Sequence, residues 1–281
     1  VIILDPALVV AAREGGRDAL EALVAAMQRP VYNLAVRMLG HPADAEDAAQ
    51  EILVKVVTGL GAVREPAAAG AWAFRVACRH LVHVRRRGAL EARRLTFCGF
   101  ADDLSDGLED LPDHAAEDPE TRAMIEQVKV GCTLALLTCL TRPLRAAYIL
   151  GEIFELSDAE AAAALETTAP AFRQRLRRAR ALVTGFVQAR CGLVSDAAAC
   201  RCDRRVAQAE RLGRVRRGSG PPPGTQPIAE IRAEIARLER GRAAAALMRS
   251  NPDFPTDVGR LVMSALDAGE PPLAGPGRAV G

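Results

Sequence analysis

The stretch LSDAEAAAALETTAPAFRQRLRRARALV, residues 156–183, decides the fold. Ser157 followed three residues later by Glu160 is a capping box: the hydroxyl accepts from the amide of residue 160 while the carboxylate reaches back to the amide of Ser157. A helix is expected through Ala161 to Leu165. Glu166, Thr167 and Thr168 then make a turn, with Thr168 as the next cap. Pro170 falls in the first turn of a second helix, where its missing N–H does no harm. On a wheel of ~100° per residue, Phe172, Leu176, Ala179 and Val183 form one apolar stripe. Arg173, Arg177 and Arg180 lie on one flank of it, Arg175 and Arg178 on the other. A surface helix usually mixes charge signs, yet these five arginines fall within eight residues with no acid among them. The pattern predicts a helix-turn-helix whose second helix suits a DNA major groove, since arginine pairs bidentately with guanine or holds phosphates.

Working outward, the rest of the chain also reads as helical. Of its 281 residues 49% are hydrophobic but only 4% aromatic, so alanine and leucine do most of the packing, which favours helices over sheets. Residues 5–94 read as one helical unit. Leu20, Leu23, Val24, Met27, Val31, Leu34, Ala35, Met38 and Leu39 recur at helical spacing, and Gly40, His41 and Pro42 stop that run. A second helix is expected from Ala43 to Gly59, then a loop to Gly70, then a third helix from Trp72 into Arg85, Arg86 and Arg87. Residues 95–120 carry nine acids and no Lys or Arg, with Pro112 and Pro119 among them, and read as a solvated acidic linker. Residues 121–190 hold the helix-turn-helix, and residues 191–281 form a C-terminal extension. In the extension, GSGPPPGTQP (218–227) reads as a second linker and Ile228 to Arg249 as one terminal helix. The last dozen residues look disordered. The fold class is therefore all-α: two helical domains, an acidic linker between them and a partly helical extension.

The second informative stretch is Asp44-Ala-Glu-Asp-Ala-Ala-Gln-Glu51. By itself it is a helix start whose first-turn acids suit the macrodipole. In context, residues 32–87 resemble region 2 of the extracytoplasmic-function sigma factors of the sigma-70 type. The matching residues are Tyr32, Leu39-Gly40, Asp44 to Glu51, Trp72, Arg75-Val76-Ala77 and Arg85 to Arg87. Residues 140–182 resemble region 4 of the same group through Leu140, Glu152, Leu156-Ser157, Glu160-Ala161-Ala162, Leu165 and the run Arg175 to Arg180. The resemblance implies a bacterial transcription-initiation subunit with two interfaces. Asp44, Glu46, Asp47, Gln50 and Glu51 would dock on the coiled-coil clamp of core RNA polymerase. Trp72, Phe74, Arg75 and Arg79 would hold the melted −10 promoter element, which wants aromatic faces and cations. Arg173, Arg175, Arg177, Arg178 and Arg180 would read the −35 element. The sequence departs from the group at Arg79 and His83, where Asn and Asp are usual. Promoter DNA and core polymerase are the implied partners, and an anti-sigma protein is a further one open to such a chain. The two domains can also clamp together in the free protein and hide their DNA-binding surfaces.

Other classes fit less well. No glycine-rich phosphate loop or nucleophile motif appears and the four histidines are scattered, so an enzyme is not expected and no cofactor is required. No apolar stretch approaches the ~20 residues of a membrane span. The odd number of cysteines, seven, suits a reduced, cytoplasmic protein better than a disulfide scaffold. Three of them, Cys191, Cys200 and Cys202, open the extension beside Arg201, Arg204 and Arg205. Zinc at these thiols is one reading, one ligand short of a closed site unless Asp196, Asp203, a distant cysteine or water completes it. A reversible Cys191–Cys200 or Cys191–Cys202 disulfide and a plain packed loop are the others. A conventional helix-turn-helix regulator with a metal- or thiol-sensing module is the alternative function, but it leaves the Asp44–Glu51 and Trp72 segments unexplained.

Overall fold

The computed structural model describes residues 2–83, 95–112, 118–222, 225–250 and 257–267. Among these the only β feature is an isolated bridge between Cys191 and Cys200. Helix α1 (Pro6–Arg13) starts on Pro6 with the Asp5 carboxylate capping Ala7. Helix α2 (Arg17–Leu39) ends at Gly40, whose φ of 74° lies in the left-handed region that glycine reaches without strain. Helix α3 (Pro42–Gly59) follows at once and packs along α2. Two 3-10 turns (Leu60–Ala62 and Pro66–Ala68) lead into α4 (Ala69–His83), which begins three residues before the expected Trp72 and buries Ala73, Phe74, Ala77, Cys78 and Leu81 as one stripe. The expected end of this helix, Arg85 to Arg87, lies outside the described residues.

The linker departs from its sequence reading. Residues 97–105 form a helix, α5 (Phe97–Ser105), capped by Thr96, with Phe100, Ala101 and Leu104 buried. Phe100 stacks on Phe186, ring centroids 5.5 Å apart. The linker has no cation of its own, yet it is not left to solvent: the extension supplies them. Arg214 makes two bonds of 2.8 Å to Asp103, Arg211 pairs with Glu109, Arg204 with Asp110 and Arg217 with Glu120.

Helix α6 (Pro119–Thr138) is capped by Asp118, and α7 (Arg142–Tyr148) runs into a single π turn, Ile149–Ile153. Helices α8 (Asp158–Ala164) and α9 (Ala169–Arg190) form the helix-turn-helix. The two halves of the chain share one core. It runs from Ile2 and Val9 through Met38 and Ile52 to Tyr148, Ile149 and Phe172. Helix α4 packs on α7 and α8, and α2 packs on α6 and α7.

The extension wraps this body. After the cysteine loop come α10 (Val206–Arg211), packed on α6, and a stretch that runs along α6. Gln127 of α6 binds the Arg216 and Gly220 carbonyls at 3.1 and 2.9 Å, and the buried Lys129 donates to the Gln226 carbonyl. The GSGPPPGTQP segment is thus fastened at described residues on both sides of 223–224 rather than a free tether. The expected single terminal helix is two, α11 (Ile228–Ile235) and α12 (Arg240–Arg249). The chain bends between them through turns such as Leu238 N–H to the Ile235 carbonyl, and the hairpin lays α12 on α9 and the π turn. A last helix, α13 (Gly259–Asp267), was not expected from the sequence; it packs on α2 and α3 through Val258 and Val262, and Arg17 binds Asp267 through two bonds.

Candidate nucleic-acid interface

The helix-turn-helix forms as its residues dictate. Ser157 and Glu160 make the reciprocal capping box, the Ser157 amide donating to the Glu160 carboxylate at 2.9 Å. Bonding to Ser157 holds the Glu160 carboxyl below its usual range. Thr168 caps α9 through the Ala171 amide. Phe172, Leu176, Ala179 and Val183 are all buried, as the wheel requires.

The opposite side of α9 carries the arginines. Arg173, Arg177, Arg178 and Arg180 are exposed. Arg173 reaches Asp158 at 3.4 Å and Arg180 binds Glu152 at 2.8 Å. The Arg173–Asp158 pair is exposed on both sides, and such pairs contribute ~0–1 kcal/mol, so a phosphate can displace it at little cost; Glu152, by contrast, is mostly buried. Arg175 differs. It is half-buried and lines a cleft between α4 and the helix-turn-helix, together with Arg79, His83 and Glu166.

The helix expected to meet the −10 element is more mixed. Arg75 is exposed, Trp72 is half-buried and lies close over Gly59, and Arg79 pairs with Glu166 in the helix-turn-helix turn. Phe74 corrects the sequence reading: at 5% exposure it belongs to the core, because it falls on the Ala69–Leu81 stripe that faces α2 and α3. A ring in that position has no face to offer a base.

On α3, Glu46 and Asp47 are exposed, while Asp44, Gln50 and Glu51 are half-buried. Asp44 lies 3.6 Å from His41, and Glu51 lies 3.5 Å from His80. His80 also contacts Lys55 at 2.8 Å. Burial, then Lys55 and Arg142, lowers its pKa to about 4, so at neutral pH its ring is uncharged.

Two residues link the halves through contacts that the sequence did not show. Arg145 is buried and donates to the Leu137, Thr138 and Leu140 carbonyls at the end of α6 and to the Met38 carbonyl at the end of α2. One guanidinium thus serves the C-termini of two helices, where carbonyls lack partners and cations are favoured. Glu166 sits at φ 50°, a left-handed conformation uncommon outside glycine, and carries the ion pair to Arg79.

Comparison with known proteins bears on this arrangement. Residues 23–90 match the family model described as Sigma-70 region 2. Over 187 residues the chain is 28% identical to the RNA polymerase sigma-H factor of Pseudomonas aeruginosa, a match covering 66% of this chain and 94% of that protein. That length exceeds what the first helical unit alone can supply. These matches support an extracytoplasmic-function factor of the sigma-70 family. It is also 32% identical over 152 residues to the ECF RNA polymerase sigma factor SigE of Mycolicibacterium smegmatis, covering 53% of this chain and 54% of that one. As a sigma factor it directs transcription initiation, and a conventional repressor or activator is not favoured. The residues matched to region 2 span most of α2, all of α3 and all of α4. No helix among the described residues is long and apolar enough to cross a membrane.

Proposed function

We propose that this sigma factor engages core RNA polymerase through the acidic ridge of α3 and the promoter through α9 and the exposed side of α4, with no catalysis of its own. The observation that carries the reading is the division of α9 into a fully buried apolar stripe and an exposed arginine face. Arg173, Arg177, Arg178 and Arg180 contact the −35 element in this reading; Arg175 joins them once the α4 cleft opens. Trp72, Arg75 and Arg79 hold the −10 strand. Asp47 with Glu46, Asp44, Gln50 and Glu51 binds the polymerase clamp. The cytoplasm is the compartment where those partners are found, and an anti-sigma protein is a further proposed partner.

In the closed arrangement two of the proposed promoter contacts, Arg79 and Arg175, line one cleft and are engaged there until the halves separate. The free chain therefore binds promoter duplex weakly, and binding to polymerase must separate the halves. Selection from random duplex DNA tests the assignment. The chain with core polymerase is expected to recover two sequence blocks. Arg173→Ala with Arg177→Ala should relax the upstream block alone, and Arg75→Ala should weaken capture through the downstream one. Base-reading arginines each contribute about 1–3 kcal/mol of discrimination. Sub-micromolar selection by the chain without polymerase would contradict the proposal, as would upstream preferences unchanged by the α9 substitutions.

A further inference from the structure

The extension touches both halves of the chain, and its two ends are fastened unequally. Among the described residues no three His, Cys, Asp or Glu side chains are grouped to hold a metal ion, the extension cysteines included, so packing and polar contacts do the fastening. On the helix-turn-helix side, α12 lies on α9 and the π turn. Ala243, Ala244, Ala246, Leu247 and Met248 of α12 are buried in the shared core, and Arg249 pairs with Glu155 just past that turn. On the region 2 side, α13 lies on α2 and α3 and buries much less. Within residues 257–267 only Val258, Gly259 and Val262 are buried; Met263 and Leu266 are half-buried and Leu261 is exposed.

The polar contacts of α13 are few and specific. The Gly259 amide donates to the Gln28 side chain at 2.8 Å, and a Cβ on residue 259 would come within 3.0 Å of that same oxygen, so glycine lets the start of α13 lie close on α2. At the other end Arg17 binds Asp267 at 2.6 and 2.8 Å. Each member of that pair sits at the helix end that its charge disfavours, Arg17 at the N-terminus of α2 and Asp267 at the C-terminus of α13. Neither helix gains from its own residue, so the benefit of the pair lies in the contact between them. The docked helices are also close in sequence. The chain from Ser250 to Val258 spans at most roughly 30 Å, so α12 and α13 cannot both stay docked once the halves part beyond that reach.

We propose that α13 is a detachable clasp: an intramolecular ligand of the α2–α3 face that holds region 2 and the helix-turn-helix closed and lets go first when they separate. It releases before α12 because it buries less and because its ion pair is exposed on both sides. The clasp leaves Glu46 and Asp47 of α3 uncovered, so polymerase docking and release of α13 are separate events. The inference needs only the packing of the free chain and stands apart from the promoter assignment.

The test measures opening in the full chain, without polymerase or DNA. Cys78 of α4 is buried and lines the cleft with Ala146, Ala164 and Leu165 of the other half, so a thiol reagent reaches it when the halves part. Alkylation of the native protein, counted cysteine by cysteine in a mass spectrometer, reads that opening. The exposed Cys98 calibrates the reagent, and Cys132 of α6, which does not line the cleft, reports general loosening. Hydrogen exchange over residues 258–267 shows whether α13 is docked. Val262→Asp places a carboxylate in the apolar contact; it is expected to free α13 and to speed Cys78 labelling by ~10- to 100-fold, the equivalent of losing one buried aliphatic side chain. Arg17→Asp and Asp267→Arg each suit their own helix better than the native residue does. Each is nevertheless expected to speed labelling a few-fold, and the double variant to restore the wild-type rate. A wild type whose α13 amides exchange freely would overturn the proposal. So would a Val262→Asp protein that frees α13 with Cys78 labelling unchanged, one that speeds Cys78 and Cys132 alike, or a charge swap that restores nothing.

Discussion

His80 concentrates several of the forces at work in a single ring. Its side chain is almost fully buried, contacts Lys55 and lies near Glu51 and Arg142. An unfolded chain protonates this histidine below about pH 6.5, whereas the folded one resists protonation down to about pH 4. Between those values the unfolded state binds more protons, so stability rises with pH. This contribution is complete above about pH 6.5 and is lost as pH falls toward 4. Denaturant midpoints measured across that window should fall on acidification in the wild type and fall less in His80→Gln. Parallel profiles for the two proteins would remove His80 as the cause. The sequence showed a histidine on a helix and nothing more, because the cations around it come from α3 and α7. The same holds for Phe74. Its aromatic character was legible, but its burial depended on which side of α4 met the core.

Helices were the most legible level. The capping box at Ser157, the Thr168 cap, the Gly40 stop and the apolar stripe of α9 all stand where local chemistry put them. What local chemistry lacked was the contact between elements. The 95–120 segment looked solvated because its acids have no nearby cation in sequence; their partners, Arg204, Arg205, Arg211, Arg214 and Arg217, lie about a hundred residues later. The terminal helix looked continuous because no glycine or proline marks its bend at residues 236–239. Arg145 shows what one such contact is worth between elements. It supplies hydrogen bonds to the carbonyl ends of α6 and α2 in a buried setting, and each buried polar group left unsatisfied costs about 1–3 kcal/mol. Arg145→Leu should therefore lower unfolding free energy by about 3 kcal/mol or more, read from the urea midpoint. A loss below about 0.5 kcal/mol, the range of ordinary surface changes, would mean that water replaces the guanidinium without difficulty.

At the scale of the whole molecule, region 2 and the helix-turn-helix close on each other, and the extension wraps the outside. The Arg79–Glu166 pair is exposed and contributes ~0–1 kcal/mol at most. Burying even one large apolar side chain contributes about 1.5–3 kcal/mol, so closure rests chiefly on the shared core and on Arg145. The closed form covers the proposed promoter contacts unequally. Arg79 and Arg175 face the cleft, whereas Arg173, Arg177 and Arg178 remain exposed, and so do Glu46 and Asp47 of the ridge proposed to meet polymerase. Family membership was legible from the Asp44–Glu51 and Leu156–Arg180 motifs; the closed arrangement was legible only as an option, because it depends on packing between segments far apart in sequence.

The central claim is that α3 docks this chain on core RNA polymerase, and since Asp47 is exposed in the closed form, docking does not require prior opening. The most direct measurement is co-elution of the purified chain with bacterial core polymerase on a sizing column, wild type beside the double variant Asp47→Arg, Gln50→Ala. The account predicts that the wild type travels with polymerase and that the variant, though folded, elutes alone. A wild type that elutes alone, or a variant that travels equally well, would contradict it.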